Sequence, residues 1–149
     1  MNNCTNQDIE RSIENAELIC QDKKLRFSEV RKKVLKLILL NNAPSKAYDL
    51  LEELKKDQKT AQVPTIYRAL DFLLDNGFIH RLNSLNAYVR CSHPLKHDQC
   101  YFLICKKCQG ISECCGQNLV SVIDKTAKSN NFEIENVALE ISGKCKNCQ

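Results

Sequence analysis

Residues 64–81 read PTIYRALDFLLDNGFIHR. Pro64 and Thr65 suit the first turn of a helix, where the N–H that proline lacks has no partner in any case. Ile66, Ala69, Leu70, Leu73 and Leu74 then recur at helical spacing and predict one buried stripe. Asn76-Gly77 is a C-terminal stop, and FIHRL after it is a short run of β character. The stretch therefore predicts a helix that turns directly into a strand. AYVRC, residues 87–91, supplies a second strand, and NSLN between the two is a hairpin signal.

Upstream the periodicity is helical throughout. DIERSIENAELICQDKK (8–24) sets Ile9, Ile13, Ala16 and Cys20 on one face. Ser28 is placed to cap a second helix with Val30, Val34, Leu37 and Ile38 inward, and NNAP ends it. Ser45 is placed to cap a third, with Ala47, Leu50, Leu51 and Leu54 inward. Three short helices followed by a two-stranded hairpin make a winged helix-turn-helix, with the helix from Thr65 to Asn76 as its recognition helix. Its outward residues include Thr65, Tyr67, Arg68 and Asp71. Arginine can bond a guanine edge with two donors, and a tyrosine ring can pack on thymine methyls. The same pattern also describes a helical domain with an ordinary solvated face.

The chain has 149 residues, 43% of them hydrophobic, enough for one ordinary domain or two small ones with a core. It contains no 18-residue apolar run. VLKLILL (34–40) is too short to span a bilayer, so no membrane role is expected. MNNCTNQDIE has neither a basic nor an apolar leader region, and a cytoplasmic protein is expected. The net charge of +4 says little, but residues 23–36, KKLRFSEVRKKVLK, hold seven Lys or Arg and one Glu. That run fits either a solvated helix face or a phosphate-contacting patch.

Beyond Cys91 the texture changes. SHPLKHDQ reads as a hinge. YFLIC and GISEC read as strands, NLVSVIDKTAKS as a helix and FEIENVALEIS as a long strand. The overall expectation is α+β, with an N-terminal winged helix over 1–90, a hinge over 91–98 and a small C-terminal α/β domain over 99–149. Two C-x2-C knuckles, Cys105/Cys108 and Cys145/Cys148, each follow a predicted strand. That spacing lets both sulfurs of a knuckle face one tetrahedral ion. In a reducing compartment paired cysteines are more often metal ligands or redox centres than structural disulfides. A thioredoxin-like redox pair lacks its βαβ context here, so a closed structural Zn²⁺ site is the preferred reading. Lys106, Lys107, Lys144 and Lys146 would offset the net −2 of four thiolates on Zn²⁺. For Cys4 a frayed terminus and for Cys20 a core-facing position suffice.

SKAYDLLEEL, PTIYRALDFLLDNGFIHR, NAYVRC, FLICKKCQGISE and LEISGKCKNC occur in order. Together they resemble the Fur family of bacterial metal-dependent repressors, and most of all its zinc uptake regulator branch. The resemblance covers about residues 10–148. It implies a homodimer, a C-terminal dimerisation domain, one structural Cys4 zinc and at least one regulatory zinc per chain. It also implies a double-stranded, AT-rich palindromic operator. The residues expected to contact DNA are Thr65, Tyr67, Arg68, Arg31, Lys32 and Tyr48, of which the resemblance implies Arg31 as a phosphate contact.

All three histidines, His80, His93 and His97, fall within HRLNSLNAYVRCSHPLKH (80–97), around Cys91. By resemblance the regulatory ligands are His80, Cys91, a loop histidine and Glu113. His97 is the expected third ligand, but it stands one place before the family position, which Asp98 occupies here. Asp98, His93 and Cys100 therefore remain alternatives. A second departure is SEVR where the family often has Thr-Pro-Gln-Arg. A thiolate beside imidazoles and a carboxylate suits Zn²⁺ better than ferrous or manganous ions. A sensor of iron, manganese or peroxide on the same fold is the alternative function. No nucleophile elbow, phosphate loop or paired carboxylate supports an enzyme with a small-molecule substrate.

Overall fold

The computed structural model describes residues 6–41, 43–94, 100–135 and 137–149. The chain divides into two compact units, Met1–Cys91 and Ser92–Gln149. Both are mixed or helical in a way that makes the whole chain α+β, and no helix among the described residues is long and apolar enough to cross a membrane.

The first unit runs α1 (Asn6–Asp22), α2 (Glu29–Leu40), α3 (Ala47–Asp57), α4 (Val63–Asp75), β1 (Ile79–Leu82) and β2 (Ala87–Arg90). The helical stripes meet in one core. Val34 and Ile38 of α2, Leu50, Leu51 and Leu54 of α3, and Ile66, Leu70 and Leu73 of α4 are almost fully buried. Cys20 lies in that core, as its helical position required, and its thiol is pushed up by burial. Cys4 lies outside the described residues.

The starts of α2 and α4 fall where the sequence places them, and that of α3 differs. Ser28 occupies the N-cap position of α2, but its side chain makes no cap bond. Ser45 does not cap α3, whose N-cap is Lys46. Ser45 is instead drawn into the sheet: its N–H and carbonyl both pair with Tyr88 at 2.8 Å. A buried backbone must satisfy its polar groups, and the strand beside it outcompetes the helix for those of Ser45. At α4 the cap is Gln62, and Thr65 Oγ1 accepts a bond from the Gln62 N–H at 3.4 Å to close a capping box.

The end of α4 fixes the wing. Gly77 has φ 72°. Its N–H bonds the Leu74 carbonyl at 3.0 Å, and the Phe78 N–H bonds the Leu73 carbonyl at 2.9 Å. These are the two bonds of a Schellman cap, which ends the helix and reverses the chain at a glycine. β1 follows and pairs antiparallel with β2, His80 opposite Val89.

The second unit contains β3 (Cys100–Cys105), β4 (Ile111–Cys115), α5 (Gln117–Ser129), β5 (Glu140–Gly143) and a 3-10 turn over Lys146–Cys148. The sheet order is β4-β3-β5, with β3 antiparallel to β4 and parallel to β5. The long strand expected over 132–142 is only four residues long. Phe132 closes α5 by donating to Ala127 O, and pairing with β3 begins where Phe102 N–H meets Leu139 O. α5 has no buried residue within one chain. Val122 and Phe132, and the register pair Leu103 and Ile141 on neighbouring strands, are exposed.

Candidate functional site

The four knuckle cysteines converge because β3 and β5 are parallel neighbours. Cys105 ends β3 opposite Gly143, so the loops that follow both strands leave the sheet at the same end. Lys106 N–H bonds the Gly143 carbonyl at 2.8 Å, and Cys105 N–H bonds that of Gly110 at 2.9 Å, which folds each knuckle back. The sulfurs of Cys105, Cys108, Cys145 and Cys148 lie within 4.8 Å of one another. Zn–S bonds of about 2.3 Å in a tetrahedron require sulfurs about 3.8 Å apart. Cys108 and Cys145 stand at 3.7 Å. An all-thiolate donor set of this size fits Zn²⁺.

The electrostatics match. Backbone N–H groups of Cys108, Cys145 and Lys107 aimed at Cys105 lower its thiol to about 6. The Cys145 N–H is 3.3 Å from the Cys105 sulfur. Cys148 is pushed up to about 12, chiefly by sharing a hydrogen bond with Cys145 beside it.

In the first unit His80 and Cys91 share one face of the hairpin. One step beyond the Ile79–Arg90 pair brings Phe78 opposite Cys91, whose N–H bonds the Phe78 carbonyl at 3.0 Å. Alternation then puts Phe78, His80 and Cys91 on the same side, with His80 and Cys91 diagonal neighbours. Both are buried. Glu113 belongs to the second unit, on β4, where its Oε2 accepts the Ser92 N–H at 2.9 Å. His97 and Asp98 lie outside the described residues. His93 is described: its Nδ1 is 3.6 Å from Cys115 Sγ, which is 3.7 Å from Glu113 Oε1. Cys100 is joined to Cys115 by a disulfide across β3 and β4. Counting the β3–β4 register from the turn at KKCQG would have found this pair; spacing between motifs did not.

The expected DNA contacts differ in what already holds them. Tyr48 on α3 and Tyr67 and Arg68 on α4 are exposed. Among the described residues Arg68 has no salt bridge. Arg31 is engaged: its guanidinium carbon lies 3.7 Å from the Phe72 ring centre, and it donates to the Arg26 carbonyl. Lys32 pairs with Glu17 and Glu29, Glu17 chiefly holding its ammonium above the ordinary range. Lys33 pairs with Asp57. Of the seven cations of residues 23–36, Lys32 and Lys33 are charge-paired.

The chain matches the Ferric uptake regulator family over residues 22–142. It is 34% identical over 151 aligned residues to the zinc uptake regulation protein of Escherichia coli (strain K12), covering 99% of this chain and 85% of that protein. A solved zinc uptake regulator complexed with zinc and DNA superposes with a TM-score of 0.86 at 32% identity, covering 97% of this chain and 95% of the other. The crystal structure of holo XcZur gives 0.83 at 38% identity, over 91% and 94%.

Proposed function

The chain belongs to the ferric uptake regulator family, and from that premise we propose that it is a zinc-responsive, DNA-binding transcriptional repressor acting as a homodimer. The observation that carries this reading is the continuity of reader and sensor. α4, the helix that offers Tyr67 and Arg68, passes through the Gly77 cap straight into β1, which carries His80. A donor that moves β1 moves the recognition helix.

Two metal roles follow. Cys105, Cys108, Cys145 and Cys148 would hold a structural zinc that secures the second unit. His80 and Cys91, with Glu113 and a further donor, would hold the regulatory zinc; His97, Asp98, His93 and Cys100 are the candidates for that donor. Zinc supplies a tie between donors that a chain without it leaves independent. His80 and Cys91 would thereby fix the wing, and α4 with it, in the arrangement that reads DNA. If the competent arrangement goes from rare to dominant, its preference for zinc must be about 10⁴-fold, roughly 5.5 kcal/mol. The loss of one ligand from a four-ligand site on opening is of that order.

At the DNA, Arg68 and Tyr67 would read base edges, with Thr65 at the helix start and Tyr48 beside them. Arg31 and Lys32 would contact phosphates, although Lys32 must first leave Glu17 and Glu29. The exposed apolar residues of the second unit, Leu103, Ile141, Val122 and Phe132, are those we assign to the dimer. A two-fold dimer implies a palindromic operator, which we take to be AT-rich. As a regulator the protein would transform no substrate, and it would work in the cytoplasm, beside the chromosome.

Operator binding titrated with zinc, iron(II) and manganese(II) at buffered free concentrations tests the proposal. Zinc should tighten binding at the lowest free concentration. Tightening by iron or manganese with zinc inert would assign a different signal, and binding unchanged by chelation would remove metal sensing altogether.

A further inference from the structure

Cys100 and Cys115 face each other in the β3–β4 register, with Cα atoms 4.1 Å apart. Directly opposed residues in a non-hydrogen-bonded antiparallel pair have the closest side chains of any strand pair. Cys114, one residue away, opposes Tyr101 and points to the other face, so only Cys115 can meet Cys100. The structure joins the two as a disulfide. Both are partly exposed, within reach of a small solute.

The surroundings of Cys115 give this pair a consequence. As a thiolate, its sulfur would sit 3.7 Å from the Glu113 carboxylate and 3.6 Å from His93 Nδ1. The donor atoms of His93, Glu113 and Cys115 lie within 4.8 Å of one another. The sulfur and the carboxylate are thus near enough to share one ion. With an imidazole beside them they make an N/O/S set that suits Zn²⁺. In the disulfide the same sulfur is a poor ligand for Zn²⁺.

We propose that Cys100 and Cys115 form a reversible dithiol–disulfide switch by which a hydroperoxide controls zinc at Glu113. This rests on the reading of the chain as a zinc-responsive repressor, because beside a chromosome thiols are kept reduced and a disulfide is a state rather than a fixture. In the oxidation, one thiolate attacks the peroxide, the O–O bond breaks, and a sulfenic acid forms as one hydroxide leaves and takes a proton to become water. The second thiolate attacks the sulfenic sulfur, the S–S bond forms and a second water departs. Two cysteines lose two electrons in total, and the peroxide gains them. A dithiol reductant reverses the step by exchange. Zinc and the disulfide are competing occupants, so zinc slows oxidation and oxidation lowers zinc affinity.

The test uses the full-length protein with its structural zinc in place, at buffered free zinc, with hydrogen peroxide as the probe. Peptide mapping after alkylation should find a Cys100–Cys115 link, with Cys105, Cys108, Cys145 and Cys148 still protected. Zinc affinity and operator binding should then fall about tenfold, the scale of ordinary coupling between sites, and dithiothreitol should restore them. Excess zinc should slow formation of the link. Cys100→Ser should form no link, and its zinc affinity, compared with that of the same variant before peroxide, should show no dithiothreitol-reversible fall. No link, a link that leaves zinc affinity unchanged, or a Cys100→Ser protein as reversibly peroxide-sensitive as the parent would each overturn the switch. The link and zinc affinity are read without DNA, so failure of the reduced protein to bind an operator would count against the repressor reading alone.

Discussion

At Gly77 one torsion sets where the wing begins. A φ of 72° lies in the left-handed region, where a Cβ meets the following carbonyl. Gly77→Ala should destabilise the first unit by roughly 1–2 kcal/mol, read as a lowered denaturant midpoint with unchanged slope; an unaltered midpoint would mean the cap tolerates a side chain. Arg68 raises a different question at the same scale. It is exposed on α4 and has no salt bridge among the described residues, whereas Lys32 is held by Glu17 and Glu29. Arg68→Ala should cost about 1–3 kcal/mol on the operator and relax base preference at one position per half-site. Lys32→Ala should act equally on all sequences and lower the salt slope by at most about one. If Arg68→Ala weakens specific and random DNA alike, Arg68 is a phosphate contact.

Parallel pairing of β3 with β5 is what brings two knuckles 36 residues apart to one end of the sheet. Cys108→Ser should leave the second unit short of a ligand, and because the binding energy of a structural zinc is folding energy, that unit should lose its ordered structure and its zinc. Circular dichroism and metal analysis check this; a stable variant with a full zinc complement would remove the Cys4 assignment. Much at this scale was legible in the sequence. The helices of the first unit came from 3.6-residue periodicity, a local signal, and the Asn76-Gly77 stop from backbone chemistry local to two residues. The knuckles were legible because C-x2-C is itself short-range. Ser45 was not, because its backbone is claimed by Tyr88, 43 residues on, and a cap signal cannot reveal a distant competitor. The stretch 132–142 was misread as one long strand for the same reason: β propensity describes a residue's fit to a pleated surface, and β3 offers such a surface only from Phe102 onward. Cys100 opposite Cys115 needed a register, which motif spacing does not carry.

For the molecule as a whole the decisive point of the proposal is that the two proposed sets of zinc donors are separable. The structural set draws only on the second unit, whereas the regulatory set as proposed takes His80 and Cys91 from the first. Cys91→Ser exchanges a soft thiolate for a hydroxyl, a poor Zn²⁺ ligand at neutral pH. The variant should keep its fold and its dimer and retain one tightly held zinc per chain. It should lose the zinc-dependent tightening on the operator yet keep the weak, salt-sensitive binding that basic side chains give any DNA. His80→Ala should do the same, since the two side chains share one face of the hairpin. Native mass spectrometry for stoichiometry and fluorescence anisotropy for DNA binding, run on the same preparations across free zinc, separate the outcomes. Loss of both zincs would mean that Cys91 supports the structural site, and a normal zinc response in Cys91→Ser would place the sensor elsewhere, with His93, Glu113 and Cys115 the next set of donors to remove.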